Sequence, residues 1–225
     1  MLILSIETST RVCSVALHQE GDLLACYELF TEKSHSGLLT TLVQNAVDHA
    51  GATLADLDAV AVAKGPGSYT GLRIGVSTAK GLCYALDKPL LAINTLEAMA
   101  TQLRDFVPEN FLLCPMIDAR RMEVYCALFS PNGQEIEPTQ AKIVDESAFS
   151  EYLAVQPVFF FGDGAAKCQA ALGHHENARF PATPVHPSAR TVGLLAMQAY
   201  RNGLFENVVT FEPFYLKEFV GTVKK

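Results

Sequence analysis

The sequence predicts an α/β fold built from two similar halves. Three observations carry this. Short apolar runs alternate with helical periodicities, a pattern that packs helices on a mixed sheet. Each half opens with an apolar run ending in an acid, Glu7 and Asp118, and then turns back on itself. A glycine turn follows a buried run in each half, Gly65-Pro66-Gly67 in the first and Gly162-Asp163-Gly164 in the second.

Residues 2–6 and 12–17 are apolar runs, and residues 23–30 form a third beyond the turn at Gly21-Asp22. Together they read as a three-stranded meander. A helix follows, with Ser36 as its N-cap and Gly51 just past its end. Between them Leu38, Leu39, Leu42, Val43, Ala46, Val47 and Ala50 recur at helical spacing. Residues 59–63 read as a buried strand, 64–69 as a loop and about 70–86 as a second helix. The second half restarts at 112–117, continues at 122–129 and turns at Pro131-Asn132-Gly133. A helix over about 145–154 and a strand at 158–161 complete it. Laying Ile3–Leu17 over Cys114–Leu128, a constant offset of 111, places Ile6 on Ile117, Glu7 on Asp118, Ala16 on Ala127 and Leu17 on Leu128. The helix-stopping Pro108 marks the junction. The expected lobes are residues 1–105 and 106–225, with the last helix able to pack back on the first lobe.

Of the 225 residues 49% are apolar and 18% charged, which supplies a packed core and excludes disorder as the dominant state. The net charge of −7 argues against autonomous binding of nucleic acid, although it does not forbid a local basic patch. Six scattered cysteines with no C-x-x-C pair read as reduced core thiols. The N-terminus lacks a basic segment, and no run approaches the ~18 apolar residues of a membrane helix. The expectation is a soluble cytoplasmic protein that does not engage a membrane.

The run Lys64-Gly65-Pro66-Gly67-Ser68-Tyr69 sits between a strand and a helix, where backbone N–H groups can hold an anion. It matches neither a P-loop nor the dinucleotide fingerprint. A tight turn and an anion site both remain open for it. Glu7-Thr8-Ser9 at a strand end suits magnesium and phosphate, or simply a polar turn. The candidate nucleotide or anion residues are therefore Glu7, Thr8, Ser9, Gly65, Gly67, Gly162 and Gly164. Arg120 and Arg121, beside Asp118, are able to face an anion, although exposed arginines at a turn are common. No histidine pair has the H-x-x-x-H spacing of a metal site, and no serine sits in a nucleophile elbow.

The second helix is unusual. Its only charges are Arg73 and Lys80, and Gly71, Gly75 and Ala79 form one stripe of small residues. Leu72, Val76 and Cys83 lie beside that stripe. Glycine inside a helix costs about 1 kcal/mol against alanine, so close packing should offset it. An all-round apolar helix is covered on most sides. The reading favoured here is a partner surface, such that Gly75→Arg or Val76→Glu would break an assembly and spare the fold.

With Ile3–Leu17, Ser34-His35-Ser36, the run Gly-Pro-Gly-Ser-Tyr-Thr-Gly-Leu-Arg-Ile-Gly at 65–75, the Gly162–Gly164 turn and Pro213-Phe214-Tyr215-Leu216, the chain resembles the bacterial TsaB (YeaZ) family. The resemblance implies an actin/Hsp70/sugar-kinase-like fold of two ribonuclease-H-like lobes. It implies a non-catalytic subunit needed for threonylcarbamoyl transfer to N6 of adenosine 37 in tRNAs reading codons that begin with A. The partners it implies are TsaD, the transferase, and TsaE, an ATPase, with tRNA met through the complex. It places the TsaD interface, and a homodimer interface, on the two N-terminal helices. The interface residues so implied are Leu38, Leu42, Gly71, Leu72, Gly75, Val76, Ala79 and Cys83. No cofactor is expected, except ATP or ADP at the junction of the complex. TsaD-like proteins carry an H-x-x-x-H pair where this chain has His35 and Leu39, so no metal and no peptidase activity is expected. Relatives usually have Asp where this chain has Glu7. The alternative is an independent ATP-dependent kinase or hydrolase of the same superfamily.

Overall fold

The computed structural model describes residues 1–31 and 35–217. In chain order the elements are β1 (Leu2–Glu7), β2 (Cys13–Gln19), β3 (Asp22–Leu29), α1 (His35–His49), β4 (Ala59–Gly65), α2 (Tyr69–Leu86), β5 (Leu90–Asn94) and α3 (Thr95–Leu103). There follow β6 (Leu112–Asp118), β7 (Glu123–Phe129), β8 (Glu135–Ile143), α4 (Ser150–Leu153), β9 (Val158–Phe161), α5 (Ala165–Leu172), β10 (Ala178–Arg179) and α6 (Ala189–Arg201).

The strands form two five-stranded sheets of one topology, β3-β2-β1-β4-β5 and β8-β7-β6-β9-β10. In each, the first three strands by sequence are an antiparallel meander and the last two add in parallel. The central strand β4, Ala-Val-Ala-Val-Ala, is buried on both faces, as a parallel strand between helices must be. The edge strand β3 instead opens with exposed residues. The constant offset holds for β1 on β6 but slips in the next strand. Ile6 pairs with Val15, whereas Ile117 pairs with Tyr125 rather than Cys126, so the second hairpin turns one residue earlier.

Two other expectations shift. Helix α1 begins at His35, so Ser36 lies within its first turn instead of capping it, while Gly51 does adopt the left-handed φ of +71° expected past a helix end. The helix expected over 145–154 shrinks to the single turn α4, because Asp145 accepts from Ser147 N–H at 2.9 Å in a local turn and Phe149, just before α4, takes a left-handed φ of +63°. Strand β8 had no period-2 signal: Pro138 interrupts it, which an edge strand tolerates.

The helices do not follow the chain order of the sheets. Helices α1 and α2 cover one face of the first sheet through Leu39, Val43, Val47, Val76 and Ala79. Its other face is covered by α6, from the second half, through Val192, Ala196 and Met197. Conversely α3, from the first half, packs Leu96, Met99 and Ala100 on the second sheet against Leu113, Ile117, Phe129 and Phe161. All strands of the first sheet precede residue 105, but the two halves exchange a helix across that point. No described helix is long and apolar enough to cross a membrane.

Helix α6 lies closest to β2 at Gly193, where a Cβ would overlap the imidazole of the fully buried His18. Burial, reinforced by Arg190, pushes the His18 pKa down, so the ring is neutral beneath the helix. Helix propensity alone favours Gly→Ala by about 1 kcal/mol. Gly193→Ala is expected to reverse that sign and destabilise by about 1–2 kcal/mol through overpacking. Gly81→Ala, whose Cβ would meet nothing within 4 Å, is expected to stabilise by up to about 1 kcal/mol. Urea unfolding of the two variants checks the contrast.

Candidate functional site

The carboxyl end of β1 runs straight into the start of α2. Thr8 Oγ1 donates to the Gly71 carbonyl at 2.8 Å, and Ser68 N–H donates to the Ser9 carbonyl at 2.6 Å. A Cβ on Gly67 would overlap Ser9, and one on Gly71 or Gly75 would overlap Thr8. These three glycines are needed because backbone meets backbone here with no room for a side chain. Ser68 then caps α2, its hydroxyl accepting from Gly71 N–H at 3.3 Å.

This geometry corrects the expected interface. Leu42, Gly71, Leu72, Gly75, Val76, Ala79 and Cys83 are all buried in the chain's own fold, and Leu38 is half-buried. The stripe of Gly71, Gly75 and Ala79 faces the first sheet, so Gly75→Arg would break the fold rather than an assembly. The outward face of α2 carries Arg73, Ser77, Gly81 and Tyr84, the last 84% exposed. Its other cation is turned away: Lys80 Nζ donates to the carbonyls of Val209 and Phe211. On α1 the neighbouring outward residues are Gly37, Thr41 and Gln44.

The structure brings Glu7, Thr8, Ser9, Gly65 and Gly67 together, but as a packed corner rather than an open cradle. Phe214 N–H donates to the Lys64 carbonyl at 2.7 Å, and a Cβ on Gly65 would lie 2.9 Å from the Phe214 carbonyl oxygen. The C-terminal segment thus covers the loop, and Ser68 N–H is already committed to Ser9. The second half repeats the arrangement. Gly164 N–H donates to the Met116 carbonyl at 3.0 Å, Asp163 Oδ1 accepts from Asp118 N–H at 3.0 Å, and a Cβ on Gly162 would overlap the Met116 carbonyl.

The two acids at the equivalent strand ends differ electrostatically. Glu7 is wholly buried, its Oε1 accepts from Ser9 N–H at 2.5 Å, and its Oε2 has no hydrogen-bond partner among the described residues. Desolvation raises its pKa to about 7 against the pull of the Ser9 and Thr8 N–H groups. Asp118 is held below the usual carboxylate range: partial burial is the largest single influence and pushes it up, but the Lys167 ammonium, the Arg120 N–H and the Arg120 charge together outweigh it. None of the seven candidate anion residues lines the cavity described between Arg11 of the first half and Asp163 and His186 of the second. That cavity, about 140 Å³, is lined by Thr10, Arg11, Val12, Phe30, Thr31, Asp163 and His186. It is smaller than the ~300 Å³ at which ligand pockets usually begin. Asp163 there is raised by burial, with His186 and Arg11 opposing. Arg11, Phe30 and His186 carried no sequence signal beyond the nearness of Arg11 to Glu7-Thr8-Ser9. Among the described residues no group of three His, Cys, Asp or Glu is placed to hold a metal, and Leu39 is sealed in the core.

Residues 29–222 match the family described as TsaD, tRNA N6-adenosine threonylcarbamoyltransferase. The tRNA threonylcarbamoyladenosine biosynthesis protein TsaB of Bacillus subtilis is 36% identical over 165 residues, 72% of this chain and 71% of that one. TsaB of Escherichia coli K12 is 36% identical over 65% of this chain and 64% of its own. Among solved structures, YeaZ from Pseudomonas aeruginosa superposes with a TM-score of 0.81 at 27% identity, covering 96% of this chain and 99% of that one. The activator of the 2-hydroxyisocaproyl-CoA dehydratase from Clostridium difficile, with bound ADPNP, shares the fold at a TM-score of 0.53 and 10% identity.

Because folding raises the Glu7 pKa from 4.5 to about 7, the protonated carboxyl belongs to the fold. The stability it contributes is complete below pH 4.5 and is lost as pH rises through 7. A shift of this size is worth about 3 kcal/mol. Glu7→Gln, which cannot ionise, is expected to gain roughly that much on the wild type between about pH 4.5 and pH 8. Urea unfolding at both pH values measures the difference.

Proposed function

The chain belongs to the TsaD family, in its TsaB branch, and from that premise we propose that it serves tRNA threonylcarbamoyladenosine synthesis as a subunit that does no chemistry itself. Its role in this reading is to bind and activate a TsaD-type transferase together with a TsaE-type ATPase, in the cytoplasm, for modification of adenosine 37 in tRNAs reading codons that begin with A. Any ATP or ADP would sit at the junction of the complex.

One observation carries the non-catalytic part. The strand end, glycine loop and helix start, the residues the sequence offers as an anion site, are here bonded to one another and covered by Phe214. Leu39 adds to it: the position four residues after His35 is a core leucine and cannot supply a ligand.

The outward face of α1 and α2 supports the partner-binding part. It presents uncharged residues, Ser77, Gly81 and the exposed Tyr84 on α2 beside Thr41 and Gln44 on α1, while Arg73, at the other end of α2, is stacked on Tyr69 and lies outside this patch. Small side chains let a second helix pair approach closely, and tyrosine is enriched in interface centres. The TsaD homologue is the occupant proposed; a second copy of this chain on the same face would be its competitor.

Gly81→Arg and Tyr84→Glu test this, because neither position contacts the core. Each should leave thermal unfolding of the isolated protein nearly unchanged. Each should weaken binding to the TsaD homologue by about two orders of magnitude, the effect of an unpaired charge in a buried interface. Reconstituted threonylcarbamoyl transfer should fall with it. Intact complexes with both variants, by sizing and co-purification, would refute the assignment of the face.

A further inference from the structure

The tip of the β6–β7 hairpin is made of residues that do not suit its backbone. Arg120 and Arg121 both lie at left-handed φ, +71° and +49°. That region disfavours side chains other than Asn, Asp and Gly. Both arginines are exposed, so no core packing holds them there. Two long cations kept at a strained tip point to a use for their charge.

The acids beside them are already engaged. Asp118 is paired with Lys167 and accepts Arg120 N–H at 2.8 Å, and Glu123 is paired with Lys217. Among the described residues neither Arg120 nor Arg121 enters a salt bridge. Arg120 still acts on Asp118 through space, but that carboxylate is already bonded to Lys167, so the tip carries more cation than acid among the described residues.

The tip continues into a second cationic group. Lys217, bound to Glu123, lies two residues after Tyr215, which stacks on Tyr69 with ring centroids 4.8 Å apart. The Arg73 guanidinium sits 5.1 Å over the Tyr69 ring. Arg73, the tyrosine pair, Lys217 and the two tip arginines thus follow one another from the first lobe to the second. Among the described residues Glu212 is the acid that acts on Tyr215.

We propose that this band is a contact surface for RNA, its arginines on backbone phosphates and its tyrosine pair against a base or sugar. The inference rests on the reading of the chain as a subunit of a tRNA-modifying assembly, and the RNA it commits to is the tRNA substrate. Phosphate contacts of this kind position a nucleic acid without reading its sequence. An acidic protein would satisfy the arginines equally, but paired aromatic rings flanked by cations are what unstacked bases select.

The test uses the full chain assembled with its TsaD and TsaE homologues. Binding of a fluorescent tRNA transcript reading an A-initial codon is followed by anisotropy at increasing potassium chloride. Arg120→Asn/Arg121→Asn keeps a turn that asparagine adopts readily, so the assembly should form and unfold at no lower temperature. Its affinity for tRNA should drop about tenfold, and the slope of log affinity against log salt should become shallower by about 2. Arg73→Gln should add a further loss and shallow the slope by about 1 more. Unchanged affinity and slope in intact assemblies overturn the inference, as does selective loss of binding to a polyglutamate competitor with tRNA binding untouched. Failure of the wild-type chain to assemble or to promote transfer would instead overturn the functional reading on which it rests.

Discussion

The direct contact of the β1 end with the start of α2, with no side chain between them, is the constraint from which the remaining features follow. Thr8 and Ser9 reach the backbone of α2 and its loop only because residues 67, 71 and 75 lack a Cβ. That contact fixes the rotation of an 18-residue helix about its axis. With 100° per residue, turning Gly71 and Gly75 inward turns Arg73, Ser77, Gly81 and Tyr84 outward. The same contact consumes the N–H and carbonyl groups that an open phosphate loop would present. One packing decision therefore closes a chemical site and presents a flat helical face.

The repeat was legible because it is local. Each half announces itself by a short apolar run, an acid and a return, and the second helix by its uninterrupted apolar content. The face of that helix was not legible. Gly71, Gly75 and Ala79 make one small stripe, and Ser77, Gly81 and Ala85 make another. Periodicity reports that a stripe exists; which one is buried depends on Thr8, some 63 positions earlier in the chain. Strand β8 was hidden by Pro138 and by its polar edge position. Of the two crossing helices, only α6 was expected on the other lobe; the passage of α3 to the second sheet escaped for a different reason. Either helix has an apolar face, and the sheet it meets is settled by the return path of the chain rather than by its own residues.

The two halves keep one architecture and have divided its electrostatics. Glu7 and Asp118 occupy equivalent strand ends, each beside a glycine turn that packs on it. One is sealed and titrates near pH 7; the other is exposed, paired with Lys167 and held low. A pair of carboxylates sharing a cation between the lobes would need both ionised and both facing the cleft. Here Glu7 is a core group whose neutral form suits its surroundings. The cleft is instead lined by Arg11, Asp163 and His186 around a small cavity.

The overall acidity does not decide how the band of cations at residues 73, 120, 121 and 217 behaves. At physiological ionic strength the Debye length is about 8 Å, so a phosphate at the surface senses the charges within roughly that distance and little of the rest. Among the described residues of the band the carboxylates of Asp118 and Glu123 are paired with Lys167 and Lys217, which leaves Arg120, Arg121 and Arg73 in excess over Glu212. Such a surface is too small to hold RNA by itself, because phosphate contacts contribute through the number of counterions released. Joined to a larger basic surface on another subunit it acts at a high effective concentration, and a few contacts then suffice to orient a substrate already captured. An acidic chain with a local cationic edge is therefore suited to an assembly in which it contributes register rather than grip.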